Sequence, residues 1–208
     1  MQPSVLIFDN VLPDPHGVRE VAKRLDYPDV EGTNFPGRNS AQRITTDELD
    51  RRIEAAIGER ISPMPGQAHG KFRLTLASDA GKAGVHIDDS QWSGILYLST
   101  NDVCEGGTDF FRHKRTGTDN LLMSRQQMAE LGWTPETMND EVRKILATDT
   151  LSPEAWELTM RVPMVFNRLL LFRPWFWHTA GPGFGSTFDD GRLVLLLFYA
   201  AEGVTRAG

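Results

Sequence analysis

The sequence predicts a mainly β protein with flanking helices, a double-stranded β-helix or jelly roll, and three observations carry that prediction. Apolar and β-favouring runs crowd residues 70–115 and 162–201, helical patterns precede them within residues 14–61, and a helical insert over residues 124–160 divides the strands. Strands gathered in two blocks with helices outside them suit two packed sheets; a parallel α/β sheet would need strand and helix to alternate. With 208 residues and 40% hydrophobic content, the chain can bury a substantial core, and residues 1–208 are expected to form a single domain.

Val5 to Phe8 reads as a short strand. Asp14 can cap the next helix, whose first turn holds Pro15 and whose residues Val18, Val21, Ala22 and Leu25 recur at helical spacing, so these four are expected on its buried face. Asp29 to Ser40 contains Gly32, Pro36 and Gly37 and little periodicity, which predicts an exposed loop carrying Phe35 and Arg38. Such a loop is either a plain connection or a cover over a pocket. Thr45 with Glu48 has the form of a capping box, and Leu49, Ile53, Ile57 and Ile61 run a stripe along a second helix. Pro63, Pro65 and Gly66 end it. Phe72, Leu74 and Leu76 then alternate with Lys71, Arg73 and Thr75, the pattern of a half-buried strand.

Gly94 to Ser99 and Gly106 to Phe111 predict two more strands, the second running into the basic cluster Arg112-His113-Lys114-Arg115. In the insert, Ser124 and Gln127 offer another capping box, Thr134-Pro135 opens a helix with Met138, Val142 and Ile145 inward, and Ser152-Pro153-Glu154 starts one more. Strands resume at Met164 to Phe172 and Arg192 to Ala200. The glycine-rich stretch Gly181 to Gly185 between them is no phosphate-binding fingerprint, because no helix follows it.

The chemistry centres on Gly84-Val85-His86-Ile87-Asp88. In an extended strand His86 and Asp88 point to one face, while Ile87 and Asp89 point to the other. Two imidazoles and one carboxylate on one face of an iron(II) ion leave its other positions open for chemistry. His178, in Trp175-Phe176-Trp177-His178 just before the glycine-rich stretch, is the candidate third ligand. His16, His69 and His113 have plainer explanations in a cap, a loop and a basic run. Trp175 and Trp177 flank His178 on either side of Phe176, and at least one is expected to line the pocket as a substrate contact. Arg192 opens an apolar strand with Val194, Leu196 and Phe198 on its face. A guanidinium there stays charged and needs an anionic partner.

This ordered set, His86, Asp88, His178 and Arg192, resembles the iron(II) and 2-oxoglutarate-dependent dioxygenases, particularly the prolyl-4-hydroxylase-like branch. Leu96-Tyr97-Leu98 followed by Gly106-Gly107-Thr108 and an aromatic pair resembles that branch's strand and turn, and the likeness spans roughly residues 70 to 200 outside the insert. The resemblance implies that His86, Asp88 and His178 hold Fe(II), that Arg192 pairs with the distal carboxylate of 2-oxoglutarate, and that dioxygen is consumed as a C–H bond is hydroxylated. Tyr97 is either a helper of the cosubstrate through its hydroxyl or ordinary strand packing. Arg192 follows His178 by fourteen residues (192 − 178), longer than the family's usual interval, so Arg168 and Arg173 stay open as rival anion binders. Arg38 and Arg112 are expected at the pocket mouth, where they would set substrate choice. Two alternatives remain: a cupin-type metal dioxygenase or isomerase that does without 2-oxoglutarate, and a non-catalytic jelly-roll binding module.

A formal net charge of −6 argues against nucleic acid and anionic membranes as partners and favours a small molecule or peptide. Cys104 is the single cysteine, and neither a signal segment nor a membrane-spanning run is evident, so the expected setting is the cytoplasm. Oligomeric state has no signature in the sequence.

Overall fold

The computed structural model describes residues 4–29 and 34–201, and two antiparallel sheets dominate it. The larger sheet contains β1 (Val5–Phe8), β2 (Arg38–Asn39), β3 (Ile61–Pro63), β4 (Lys71–Thr75) and β5 (Trp92–Tyr97). The smaller contains β6 (Gly107–His113), β7 (Trp156–Pro163) and β9 (His178–Thr179), while β8 (Leu169–Phe172) and β10 (Arg192–Ala201) return to the larger. The orders are β1-β8-β5-β10-β4-β2, with β3 also on β10, and β7-β6-β9. Helices α1 (Pro15–Lys23) and α2 (Asp47–Ile57) precede β4, and α3 (Arg125–Glu130) and α4 (Met138–Asp149) form the insert. The arrangement is the expected jelly roll with helices outside.

β10 shows why the layers form. Leu193, Leu195, Leu197 and Tyr199 share a core with Ala22 of α1 and Leu49 and Ile53 of α2, whereas Val194 and Leu196 join Ile95, Tyr97, Phe110, Val162 and Phe172 between the sheets. Both faces are covered, so the strand reads as one unbroken apolar run. Each fully buried side chain of this kind stabilises the fold by roughly 1.5–3 kcal/mol. β4 lies beside it with Arg73 opposite Val194 and Thr75 opposite Arg192. Directly paired residues share a face, so the polar positions of β4 look inward between the sheets.

Several local expectations change. Val21 of α1 is 44% exposed, and the buried polar residue is Arg19, which donates to the Leu98 and Asp189 carbonyls. The Thr45 capping box does not form: α2 starts after Thr46, whose hydroxyl bonds Asp50 four residues on. Gly58, left-handed at φ 68°, stops the helix, so Ile61 lies in β3, not on the helical stripe. Ser152-Pro153-Glu154 leads only to a 3-10 turn at Pro153–Ala155, and β7 begins at Trp156 inside the predicted insert. Residues 157–161 of β7 are all exposed, which erases the period that betrays a strand; backbone pairing along β6 makes it one. Gly32 lies outside the described residues.

Candidate metal centre and its cavity

His86 and Asp88 do not sit in a continuous strand. Their segment forms a single antiparallel bridge, in which the His86 and His178 amides each donate to the other's carbonyl at 2.9 Å. The Asp88 amide donates to the Pro174 carbonyl at 3.1 Å, which extends the contact along both segments. Two ligand-type histidines far apart in sequence thus become cross-strand neighbours, with ring centroids 4.4 Å apart. The insert holds this crossing from outside. Thr150, at the end of α4, accepts from the Gly84 and Val85 amides and donates to the Val85 carbonyl, while Val85 and Trp177 pack with Val142, Ile145, Trp133 and Trp156.

One donor atom from each of His86, Asp88 and His178 lies within 4.8 Å of the others. Both imidazoles aim Nε2 at Asp88, at 3.5 Å to Oδ1 from His86 and 3.5 Å to Oδ2 from His178. Their Nδ1 atoms face backbone carbonyls, Gly84 at 2.8 Å and Phe176 at 2.8 Å. A carbonyl can only accept, so the proton belongs on Nδ1 and the Nε2 lone pair is left for a metal. Burial, with His178 alongside, lowers the His86 pKa to about 4, which keeps that ring neutral. Burial alone would raise the Asp88 pKa, but His178, His86 and the hydroxyl of Ser93, which donates at 2.8 Å, together hold it well below the ordinary carboxylate value. A neutral His86 imidazole beside an ionised Asp88 carboxylate matches the protonation state a divalent metal requires of its ligands.

These three residues open into a cavity of about 350 Å³, at the small end of the range of roughly 300–1,000 Å³ for small-molecule sites. Phe35, Pro36, Leu151, Phe172, Val194 and Phe198 supply apolar wall, and two arginines, Arg73 and Arg192, face in. Arg192 is 2% exposed, and its Nε and Nη2 have no hydrogen-bond partner. Burial lowers its pKa, yet a guanidinium does not give up its proton in a protein, so an unpaired buried cation remains. The sequence pattern alone places Arg73 on the polar side of an alternating strand. Its Nε donates to Asn39 Oδ1 at 2.8 Å, and burial, with Arg192 nearby, lowers its pKa to about 10.

The rival arginines are engaged elsewhere. Arg168 makes two hydrogen bonds to Asp9 (2.6 and 3.0 Å), and Arg173 pairs with Glu59 while stacking on Trp92, 3.8 Å from the ring centre. Neither lines the cavity. The extra residues between His178 and Arg192 are taken up by a loop in which Asp190 accepts from the Ser186 and Thr187 amides.

The expected substrate contacts are placed differently. Trp175 and Trp177 are both absent from the cavity wall; Trp177 is fully buried under the insert, its Nε1 donating to Thr118, because its position beside His178 points away from the ligand face. Arg112 is on the outside of the smaller sheet, paired with Asp119 at 2.9 Å. The loop reaches the cavity through Phe35 and Pro36, not through Arg38, which turns to Asp29 at 3.3 Å. Gly37 makes that approach possible: at φ 89° it lies so close to β4 that a Cβ would be 2.4 Å from Thr75 Oγ1. Tyr97 is buried between the sheets with its hydroxyl on Thr108 at 2.8 Å, outside the cavity lining. Ser93 and Leu151 also escaped the sequence reading, since neither stands in a recognisable motif.

Comparison with solved structures finds the same fold at low identity. HygX from Streptomyces hygroscopicus, in a structure with nickel, 2-oxoglutarate and hygromycin B bound, is 13% identical over 99% of this chain and 86% of that one, with a TM-score of 0.58. The non-haem alpha ketoglutarate dependent epimerase SnoN from nogalamycin biosynthesis is 14% identical over 96% and 77%, with a TM-score of 0.51. A Pseudomonas putida prolyl-4-hydroxylase is 15% identical over 96% and 93%, with a TM-score of 0.51. The chain has the fold of these three proteins. Among curated proteins no relative matches. Residues 1–198 match a family of unknown function, DUF6445, and the chain belongs to that family.

Proposed function

We propose that this protein is a non-haem iron(II), 2-oxoglutarate-dependent oxygenase that hydroxylates a C–H bond of a small molecule or peptide. One observation carries the reading: a two-histidine, one-carboxylate donor set shares a cavity with a buried guanidinium whose Nε and Nη2 lack partners. The donor set suits iron(II) with positions left open, and the orphan donors suit a carboxylate taken bidentately. The bound structures of HygX, with nickel and 2-oxoglutarate, show this fold accommodating such a pair in another protein.

In this reading His86, Asp88 and His178 hold the metal, and Arg192 takes the distal carboxylate of 2-oxoglutarate. Iron and 2-oxoglutarate, when bound, supply the activation of dioxygen needed to attack an unactivated C–H bond, with succinate and carbon dioxide as coproducts. The chain supplies the rest. The Gly84 and Phe176 carbonyls hold the two rings in the ligating tautomer, and Ser93 fixes the Asp88 carboxylate. Phe35, Leu151 and Phe198 wall the cavity against water. A cosubstrate-free metal enzyme would leave the Arg192 donors without an anion. The single free cysteine and the net charge of −6 fit a cytoplasmic protein with a small-molecule or peptide partner; among the described residues no helix is long and apolar enough to cross a membrane.

The test is an anaerobic titration with iron(II) and 2-oxoglutarate, followed by absorbance. A charge-transfer band that needs both components is expected, and succinate release on admitting oxygen should follow with an accepted substrate. Iron binding without any band, whatever the 2-oxoglutarate concentration, would overturn the assignment.

A further inference from the structure

The cavity holds a second arginine, Arg73, to which no acid is paired among the described residues. Arg73 is diagonal to Arg192 across β4 and β10, since Arg192 pairs with Thr75 and Arg73 lies two residues along the same face. Diagonal neighbours of this kind are about 7–8 Å apart. Among the described residues no carboxylate lies within ion-pairing distance of Arg73; beyond its bond to Asn39 it contacts the Phe35 ring, 5.8 Å from the centroid. Two cavity-lining carboxylates are near enough to consider. Asp88 is committed to the two histidines and Ser93, and Asp79 turns to the Leu76 amide at 2.8 Å. With a divalent ion on Asp88 and a dianionic cosubstrate bound, Asp79 brings the lining to overall neutrality, yet no acid is paired with the Arg73 guanidinium itself among the described residues. Phe35 meanwhile spans both halves of the site, its ring 4.3 Å from that of His86.

We propose that Arg73 receives a carboxylate of the substrate, with Phe35 packed on the apolar part beside it, so that the acceptor is an organic acid or a chain-terminal carboxylate and not a neutral molecule. The proposal rests on the oxygenase reading above for the position of the reacting carbon. The charge on Arg73 also stands without that reading. Asn39 fixes one edge of the guanidinium and leaves the other for the acid.

The test uses the full chain loaded with nickel(II) and 2-oxoglutarate, in calorimetric titrations with 3-phenylpropionate, its methyl ester, glycylphenylalanine and glycylphenylalanine amide. A free acid should bind about tenfold or more tightly than its neutral counterpart, and the preferred acid distinguishes a small molecule from a peptide end. Arg73→Met should lose that acid by about ten- to a hundredfold, and Arg73→Lys by less. Its affinity for 2-oxoglutarate should stay within about twofold of the wild type. Equal binding of acids and neutral forms, or no binding of any probe, overturns the proposal. So does a fall in 2-oxoglutarate affinity as large as the fall for the acid, which would make Arg73 part of the cosubstrate site. If the wild type fails to bind 2-oxoglutarate at all, the oxygenase reading falls, and the same acid and ester pairs titrated without it still decide Arg73. Arg73→Lys decides the matter should Arg73→Met not fold.

Discussion

Replacing Arg192 with Met should move two quantities in opposite directions. In the protein without cosubstrate, Arg192 is 2% exposed and its Nε and Nη2 are unpartnered, so the charge is carried at a cost. Replacing even a buried ion pair with apolar side chains is often neutral or stabilising by about 1–4 kcal/mol, and an uncompensated buried charge has less attraction to lose. The Arg192→Met protein alone is therefore expected to melt at the same temperature as the wild type or several degrees higher, at roughly 2–4 °C per kcal/mol for a chain of this size. With 2-oxoglutarate the order reverses. Charge-assisted hydrogen bonds are worth roughly 1.5–3 kcal/mol, which puts the loss of affinity at about ten- to a hundredfold. Arg192→Lys keeps the charge and loses the fork, so its affinity should fall less. Metal binding should survive both changes. The assay is differential scanning calorimetry with and without 2-oxoglutarate in the presence of nickel(II), together with a direct titration. A destabilised Arg192→Met protein with normal 2-oxoglutarate affinity would refute the reasoning, and loss of affinity in Arg168→Met or Arg173→Met instead would move the carboxylate site elsewhere.

Three further expectations follow from the same geometry. His86→Ala, Asp88→Ala and His178→Ala should each bind less than stoichiometric iron by metal analysis while circular dichroism stays native; a variant with full metal content removes its residue from the ligand set. Ser93→Ala takes away the hydroxyl that donates to Asp88 Oδ2 at 2.8 Å, and loss of such an outer partner should weaken metal affinity by about 10–100-fold; a competition titration with no change would show that the carboxylate is held by other contacts. Asp50 receives hydrogen bonds from Tyr199 at 2.6 Å and Thr46 at 2.8 Å, which with His69 outweigh burial and hold its pKa below 3.8. A depressed acid contributes stability that is complete above pH 3.8 and fades as pH falls below that through the folded value. Urea unfolding should therefore show Asp50→Asn less stable than wild type by about 1–3 kcal/mol at pH 7, with the gap narrowing at pH 3, and a gap independent of pH would contradict this.

The sequence by itself determined what local period and residue chemistry can encode. β10 is legible because both of its faces are covered and every residue from Leu193 to Tyr199 is apolar or aromatic; the Ser124 capping box is legible because both of its hydrogen bonds lie within one turn. His86 and Asp88 share a face through a spacing of two, which holds even though their segment makes only one bridge. Tertiary structure decided what depends on partners distant in the chain. The exposed residues of β7 carry no alternation, so only pairing with β6 reveals the strand. Arg73 looks like the solvated side of β4 until the register with β10 turns that face into the cavity, and Trp177, one residue from His178, is turned by the same alternation under the insert. Periodicity says that two faces differ; which one meets water, core or ligand is set by the sheet or helix that packs against each.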